Sequence, residues 1–592
     1  MPETDIITPS IKFDSTDLPQ DWLSALIDLR IERAFQVPTR CTLRFFDPGY
    51  KLLKQDKLKL ATDVQIGIPR QGPLASVEVT GFAVEQAPGS QPELVVVCHD
   101  KSHRLGRATN VVTYTNQSYS AIVQSLASAA GMTAEVTSTS RQLEYVLQVE
   151  SDLALITELA NRVGYDWWVE DGKLLFKPPA VGETVELAFN KDLLSLSVKA
   201  SGQRPDSFRV VGWDSQKQAV VDSQPVNASS ATLKPSSPFA QLVSTPSSAF
   251  GGSAELVSAG LSAATMEEAG ELSKALMNRS VATAVTAKGV AKGNAKLKPG
   301  TTVSVTGFGP LDGSYHLTEV EHVYRPTIGL QTRFTAGDRT PTTLVDTLNG
   351  NGHKPMLGTI GHSGLVVGEV TSINDPDQRG RVKVRFSGLS SQDESAWCRL
   401  VAVGGGTKRG MVFIPEVGDE VLVGFENGDV RQPVVIGGLY GEKSAIPQWD
   451  VDEGKVSARR ITSRRGHYIE MADGDQADKQ HLLLMLDNGT HKLRLGADRF
   501  DLELAQGKPL SVKVGNSSIV IADNGDMTLE SGGNINIKAK LKVAIEASSV
   551  EILGKSQVSI EAKGKAALAG AQVAIDGKAQ VAIKATGVVQ IN

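Results

Sequence analysis

The stretch that decides the fold is Ser531–Asn592, SGGNINIKAKLKVAIEASSVEILGKSQVSIEAKGKAALAGAQVAIDGKAQVAIKATGVVQIN, where two apolar residues flanking one other recur every seven or eight positions. The pairs Ile535/Ile537, Val543/Ile545, Val550/Ile552, Val558/Ile560, Ala566/Leu568, Val573/Ile575, Val581/Ile583 and Val589/Ile591 continue a series begun upstream by Val512/Val514, Ile519/Ile521 and Met527/Leu529. Ten steps cover 77 residues, a mean period near 7.7. Side chains at i and i+2 lie on one face of a strand, so each unit reads as a short strand with one apolar face. Eight residues reach at most roughly 27 Å when extended, too little for one chain to turn the corners of a closed coil. Three identical chains can close it, each supplying one wall of a triangular prism whose stacked units bury what no single unit could. The core of this intertwined trimeric β-helix would be Val543, Ile545, Val550, Ile552, Val558, Ile560, Val573, Ile575, Val581 and Ile583, with Val589, Gln590, Ile591 and Asn592 at its blunt end. An aggregation-prone β tail is the competing reading; eleven units in register speak against it.

Between Ala505 and Asn592 there is no Phe, Tyr, Trp, His or Cys, and one proline, Pro509. That absence fits a narrow prism and leaves the region without the usual side chains for nucleophilic or metal chemistry. The length of 592 residues predicts three to five domains. Aromatics are few at 5% and glycines many at 57, as expected of turn-rich β protein. The net charge of −5, with both signs interspersed, predicts neither a nucleic-acid nor an anionic-membrane partner. Cys41, Cys98 and Cys398 form no disulfide-like framework, which points to synthesis in a reducing compartment. The start, MPETDIITPS, lacks a basic and apolar leader, so the expectation is a protein made in the cytoplasm without a Sec signal.

Along the chain, Asp152–Val163 shows helical spacing between a Ser151 cap and Gly164, and Ser120–Ala130 and Met266–Met277 are further helix candidates. Leu94–Cys98, Tyr145–Val149, Ser207–Trp213, Thr301–Thr306 and Tyr315–Tyr324 read as strands, and Trp167–Phe176 as a hairpin about Asp171-Gly172. Ser223–Gly260 reads as a long surface excursion. Residues 349–363 read as a linker. Beyond it, Val366–Val370, Arg381–Phe386, Ala396–Val401, Glu420–Phe425 and Val434–Ile436 form five strand candidates separated by turn residues, the pattern of a small OB-type barrel. That barrel carries 8 Lys/Arg against 10 Asp/Glu between Gly364 and Gly441, so a structural role is favoured over nucleic-acid binding.

Few residues suggest chemistry. His99 and His103, four apart, could share a metal, but no third ligand accompanies them and a polar strand-to-helix junction fits better. Gly404-Gly405-Gly406 with Lys408 lacks the full phosphate-loop pattern. No catalytic residues, cofactor or metal site are expected.

The segment GLVVGEVTSINDPDQRGRVKVRF (Gly364–Phe386), Trp397 and GMVFIPEVGDEVLVGFENGDVRQPVVIGGLYG (Gly410–Gly441) resemble the VgrG-type spike proteins of contractile injection systems, related to contractile phage tail hubs and needles. QVESDLALITELANRVGYDWWVEDGKLLF (Gln148–Phe176), Gly212-Trp213-Asp214, Leu297–Tyr324 and SRRGHYIEMADGD (Ser463–Asp475) resemble the same family, in the same order. The resemblance implies a mainly β protein with a few helices: a hub of two β-barrel-like domains at 1–348, the linker, an OB-fold domain at 364–445, a neck at 446–505, and the trimeric β-helix needle at 506–592. It further implies a homotrimeric, non-enzymatic spike joining the inner tube and baseplate proteins to a needle that punctures the target cell envelope. A PAAR-like tip protein would seat on Val589–Asn592. The interval after Glu442 is too short for the lysozyme domain of some phage spikes, no histidine follows His491 to make an iron-binding tip, and the sequence stops within its last repeat without a toxin extension. A trimeric tailspike that degrades envelope or binds glycans is the alternative, although the needle lacks aromatics for sugars.

Overall fold

The computed structural model describes residues 7–590 apart from 56–57, 216, 235, 245–248, 260–262, 338–363, 387–393, 448–449 and 487–488. The linker expected at 349–363 lies outside the described residues, as do Ile591 and Asn592. The chain divides into two compact units, Met1–Ile446 and Pro447–Asn592.

The first unit is organised by the long strand Gly313–Arg325. It pairs antiparallel with Gly329–Ala336, with Leu26–Ala34 and, near its start, with Thr302–Thr306, so one thirteen-stranded sheet carries two separate cores. The first core gathers Trp22, Leu29, Phe45, Ile66 and Leu94, and the second Leu193, Val303, Leu317 and Phe334. Strand Arg40–Phe46 shows why: Cys41, Leu43 and Phe45 alternate inward while Arg40, Thr42 and Arg44 do not. The sheet also sets Cys41 directly opposite Cys98, both buried and free, with burial pushing the Cys98 thiol up to about 12.

Three longer helices belong to this unit: α1 (Tyr119–Ala129), α2 (Asp152–Val163) and α3 (Met266–Thr283). Each begins at a hydroxyl cap, with the oxygens of Ser118, Ser151 and Thr265 accepting the N–H of Ala121, Ala154 and Glu268. The helix α2 is where the sequence places it, and α3 runs six residues past its expected end at Met277. The hairpin Asp166–Glu170/Lys173–Lys177 turns through left-handed Asp171 and Gly172. The expected excursion Ser223–Gly260 is partly folded, because Glu255–Ser258 joins Ser207–Asp214 as a parallel strand and Val226–Asn227 pairs with its start. All five OB strand candidates contribute to one five-stranded sheet, whose core holds Val370, Val384, Val421, Val423 and Val435.

In the second unit, six strands from Asp450–Asp452 to Phe500–Glu503 form an antiparallel meander. Three more, Leu510–Val514, Ser517–Ile521 and Met527–Glu530, form another. The sequence reading treats all eleven repeat units alike, whereas the first three pair with one another inside the chain. Their connections explain the difference: Gly515 and Gly525 have φ of +55° and +91°, which make tight reversals possible. From Gly532 onward the chain runs between regularly spaced bends and, among the described residues, contains no strand paired within the chain.

Gly164, left-handed at the end of α2 with φ +70°, shows how closely these elements approach: an added Cβ would lie 2.8 Å from Ala275 Cβ in α3. At Gly172, with φ +73°, the same atom would meet nothing within 4 Å. Gly172→Ala should therefore destabilise the first unit by about 1 kcal/mol and Gly164→Ala by about 2–4 kcal/mol, as read from denaturant midpoints.

Candidate functional site

Two features stand out: an ion-paired joint where the OB sheet meets the helices, and the unpartnered face of the second unit. In the joint, Glu268 sits in the first turn of α3, almost fully buried. Its Oε1 accepts from Arg431 Nη2 at 2.8 Å and Arg162 Nη1 at 3.3 Å; its Oε2 lies 2.9 Å from Arg141 Nη1 and accepts the Ala264 N–H at 3.0 Å. Arg431, from the turn that joins Glu420–Phe425 to Pro433–Gly438 in the OB segment, also grips Asp429 through Nε and Nη2 and donates to the Tyr119 hydroxyl of α1 at 3.2 Å. Arg162 donates to Glu158 one turn earlier on α2. Three arginines and three carboxylates thus tie α1, α2, α3 and the OB sheet together. Burial alone would push the Glu268 carboxyl up; the guanidiniums of Arg431, Arg162 and Arg141 and the Ala264 N–H outweigh it and bring the pKa down to about 2. A second tether runs from Ser215 Oγ to Glu426 Oε2 at 2.6 Å, and Glu426 is also paired to Arg399.

Beside the joint opens a cleft of about 1240 Å³, its walls including Arg141, Arg381, Trp397, Arg399 and Phe413. Lys383 Nζ lies 5.6 Å from the centre of the Trp397 ring and Arg381 Cζ 6.0 Å, so the indole face serves as a support for two cations. Along one wall Met411, Val412, Phe413 and Ile414 are all exposed.

The second unit buries a single apolar side chain among its described residues, Leu483. On the other face of its six-stranded sheet, cross-strand partners place Ile461, Ile469, Leu484, Leu493 and Leu502 in one row, with Met471, Leu482, Leu495 and Phe500 beside them. Most of these side chains are exposed. Downstream, the expected core residues Val543, Ile545, Val550, Ile552, Val558, Ile560, Val573, Ile575, Val581 and Ile583 are all exposed in a stretch without strands paired inside the chain. They are not equivalent: the first of each pair is about half exposed, as in Val550 at 53%, and the second more so, as in Ile552 at 68%. Among the described residues from 534 to 590 there is no backbone–backbone hydrogen bond. Val589 and Gln590 are exposed.

The histidine pair is used structurally. His99 Nδ1 lies 2.7 Å from Thr80 Oγ1 and His103 Nε2 2.7 Å from Glu78, which also binds Arg104. Among the described residues no three His, Cys, Asp or Glu side chains cluster as metal ligands would. The segment from Gly404 to Lys408 leads into no helix and so has no helix N-terminus for a phosphate. Sequence reasoning missed the joint because Arg141, Arg162, Glu268 and Arg431 are single charges on separate elements. The one local signal was Thr265-Met266-Glu267-Glu268, the spacing of a capping box.

With this geometry in view, the family described as the type VI secretion system/phage-baseplate injector OB domain matches residues 366–440. The Alg8 N-terminal domain family matches residues 79–325. Among characterised relatives, the type VI secretion system spike protein VgrG5 of Pseudomonas aeruginosa is 34% identical over 139 residues, covering 21% of this chain and 18% of that protein. VgrG3 of Vibrio cholerae is 34% identical over 113 residues, covering 18% and 11%. The actin cross-linking toxin VgrG1 of the same species is 26% identical over 180 residues, covering 30% and 16%. These matches thus span between a tenth and a fifth of the relatives' length. A chain of the solved Francisella PdpA–VgrG complex aligns over 89% of this chain and 88% of its own, with 9% identity and a TM-score of 0.48. An Escherichia coli type VI secretion component aligns over 73% and 99%, with 16% identity and a TM-score of 0.44. Residues 366–440 thus match an injector OB domain. Over the matched segments the chain resembles the VgrG-type spike proteins, as its motifs indicate.

Removing the charge at the centre of the joint, Glu268→Gln, leaves three buried guanidiniums undercompensated and should destabilise the first unit by about 3–5 kcal/mol in denaturant unfolding. Because the folded carboxyl titrates at about 2 rather than its ordinary 4.5, its contribution is full above pH 4.5 and fades as pH falls toward 2. The native protein should lose on the order of 3 kcal/mol across that window, and the Gln variant much less.

Proposed function

We propose that the chain is the homotrimeric central spike of a contractile injection system, acting mechanically rather than as an enzyme. In this reading residues 1–348 are the hub that joins inner tube and baseplate proteins, 364–445 an OB collar and 446–505 a neck. Residues 506–592 are a membrane-puncturing needle capped by a PAAR-like tip protein on Val589, Gln590, Ile591 and Asn592. The spike is assembled in the cytoplasm and resides at the particle tip. The observation that carries the reading is the segment 534–590, with its backbone unpaired in the chain and a valine or isoleucine pair uncovered in nearly every unit. Each half-exposed valine or isoleucine has roughly 1 kcal/mol still to gain by leaving water, and the unpaired edges have hydrogen bonds still to make. Two further copies of the same chain satisfy both at once. The apolar row on the 450–503 sheet and the exposed Met411–Ile414 run support the same assembly. The relatives named as spike proteins support the role, and among the described residues no helix is long and apolar enough to cross a membrane.

Sedimentation of the full chain should give three times 62.9 kDa. Replacing Val543, Val550, Val558 and Val573 by Asp should release monomers; a protease-resistant wild-type monomer would refute the trimer. Deleting residues 589–592 should weaken capture of a PAAR-like tip protein at least about tenfold, the loss of a few hot-spot contacts; unchanged capture would remove the tip assignment and leave the trimer standing.

A further inference from the structure

The proposed needle is charged unlike the rest of the chain. Residues 531–592 hold eight lysines and no arginine against the four acids Glu546, Glu551, Glu561 and Asp576, a formal charge of +4, and the remainder of the chain carries −9 to make the total of −5. The structure shows where these charges lie. The chain bends at 532–533, 540–541, 548, 555–556, 563–564, 571, 578–579 and 586–587, a spacing that follows the repeat. Lys540, Lys555, Lys563 and Lys578 occupy four of these eight bends, while all four acids fall in the straight runs between them. All of these residues are exposed.

A bend is where a wall of the prism ends, so a side chain there stands on an outer edge. A residue in a straight run lies within a wall, close to the neighbouring chain. Three copies set four lysines per chain along the edges, with long flexible stems that carry the ammonium groups outward. We infer that these lysine edges are a contact surface for phosphate-bearing lipid, the anionic leaflet of a membrane. Nucleic acid fits less well, because separated edges offer no groove to follow and the needle has no aromatic side chain on which a base could stack. A lysine near an anionic lipid surface raises binding by roughly fivefold. The inference rests on the three-chain reading of residues 506–592 and adds to it the chemistry of the surface the needle meets.

The test is flotation of the full chain with phosphatidylglycerol–phosphatidylcholine vesicles and with pure phosphatidylcholine vesicles, with sedimentation run beside it. The wild type should float with the anionic vesicles alone, and lose them at about 1 M salt, where the screening length falls to ~3 Å. The variant K540Q/K555Q/K563Q/K578Q should remain trimeric and bind at least about tenfold more weakly. The matching arginine variant should retain binding, as should K191Q/K288Q/K408Q/K443Q, which removes the same charge from exposed sites in the first unit. A trimeric Gln variant that binds undiminished, equal binding to pure phosphatidylcholine, or a preference for duplex DNA over anionic vesicles would overturn the lipid surface and leave the needle intact. A monomeric wild type would instead overturn the needle, and this inference with it. Should the Gln variant fail to assemble, the arginine variant and the salt dependence decide: an arginine variant that no longer binds, or wild-type binding insensitive to salt, overturns the lipid surface.

Discussion

An extended chain has two edges of N–H and C=O groups, and water is the only partner available until another edge arrives. In the first unit the edges are supplied from within, by a sheet of thirteen strands. In the second the supply runs down in steps. Six strands pair, then three, and after Gly532 the described residues contain no pairing inside the chain. Apolar burial follows the same decline, from cores built on Trp22, Phe45 and Phe334 to a single buried Leu483. The assembly proposed above is the response to this gradient: the far end of the molecule has the most to gain from other copies of itself.

The joint between α1, α2, α3 and the OB sheet solves a different problem. Apolar packing could have held these elements, and part of it does, since one core cluster runs from Ile122 and Leu155 to Val384 and Val421. Nonpolar contact tolerates small rotations, however, whereas Asp429, two residues away, holds the Arg431 guanidinium in a bidentate grip and so sets the direction from which it meets Glu268 of α3. A buried charge that loses its partner is costly, so the arrangement holds one orientation and penalises the rest.

How much of this was legible in the sequence depended on how local the cause was. Helix α2 was readable because Ser151, the spacing of Leu155, Ile156 and Leu159, and Gly164 lie within fourteen residues. The hairpin at Asp171-Gly172 and the five OB strands were readable for the same reason. The pairing of Leu26–Ala34 with Gly313–Arg325 was not, because nearly three hundred residues separate the partners and neither strand marks its mate. Cys41 facing Cys98, and the meeting of Arg141, Arg162 and Arg431 at Glu268, were hidden likewise. The repeat was legible as a pattern, but its division at about residue 531 lay in Gly515 and Gly525, whose left-handed backbone sends the chain back upon itself. The sequence reading weighed apolar spacing and gave those glycines no weight.

The sameness of the later units has one more result. If identical strands slide along each other by one period, every contact is replaced by its copy and only the ends lose anything, so the repeat by itself cannot set the stagger of its chains. The six-stranded meander can: Phe500, Leu482 and Ile461 occur once each, in an order that matches at one offset alone. In the proposed trimer, the non-repeating sheet would therefore be the part that keeps count for the uniform end.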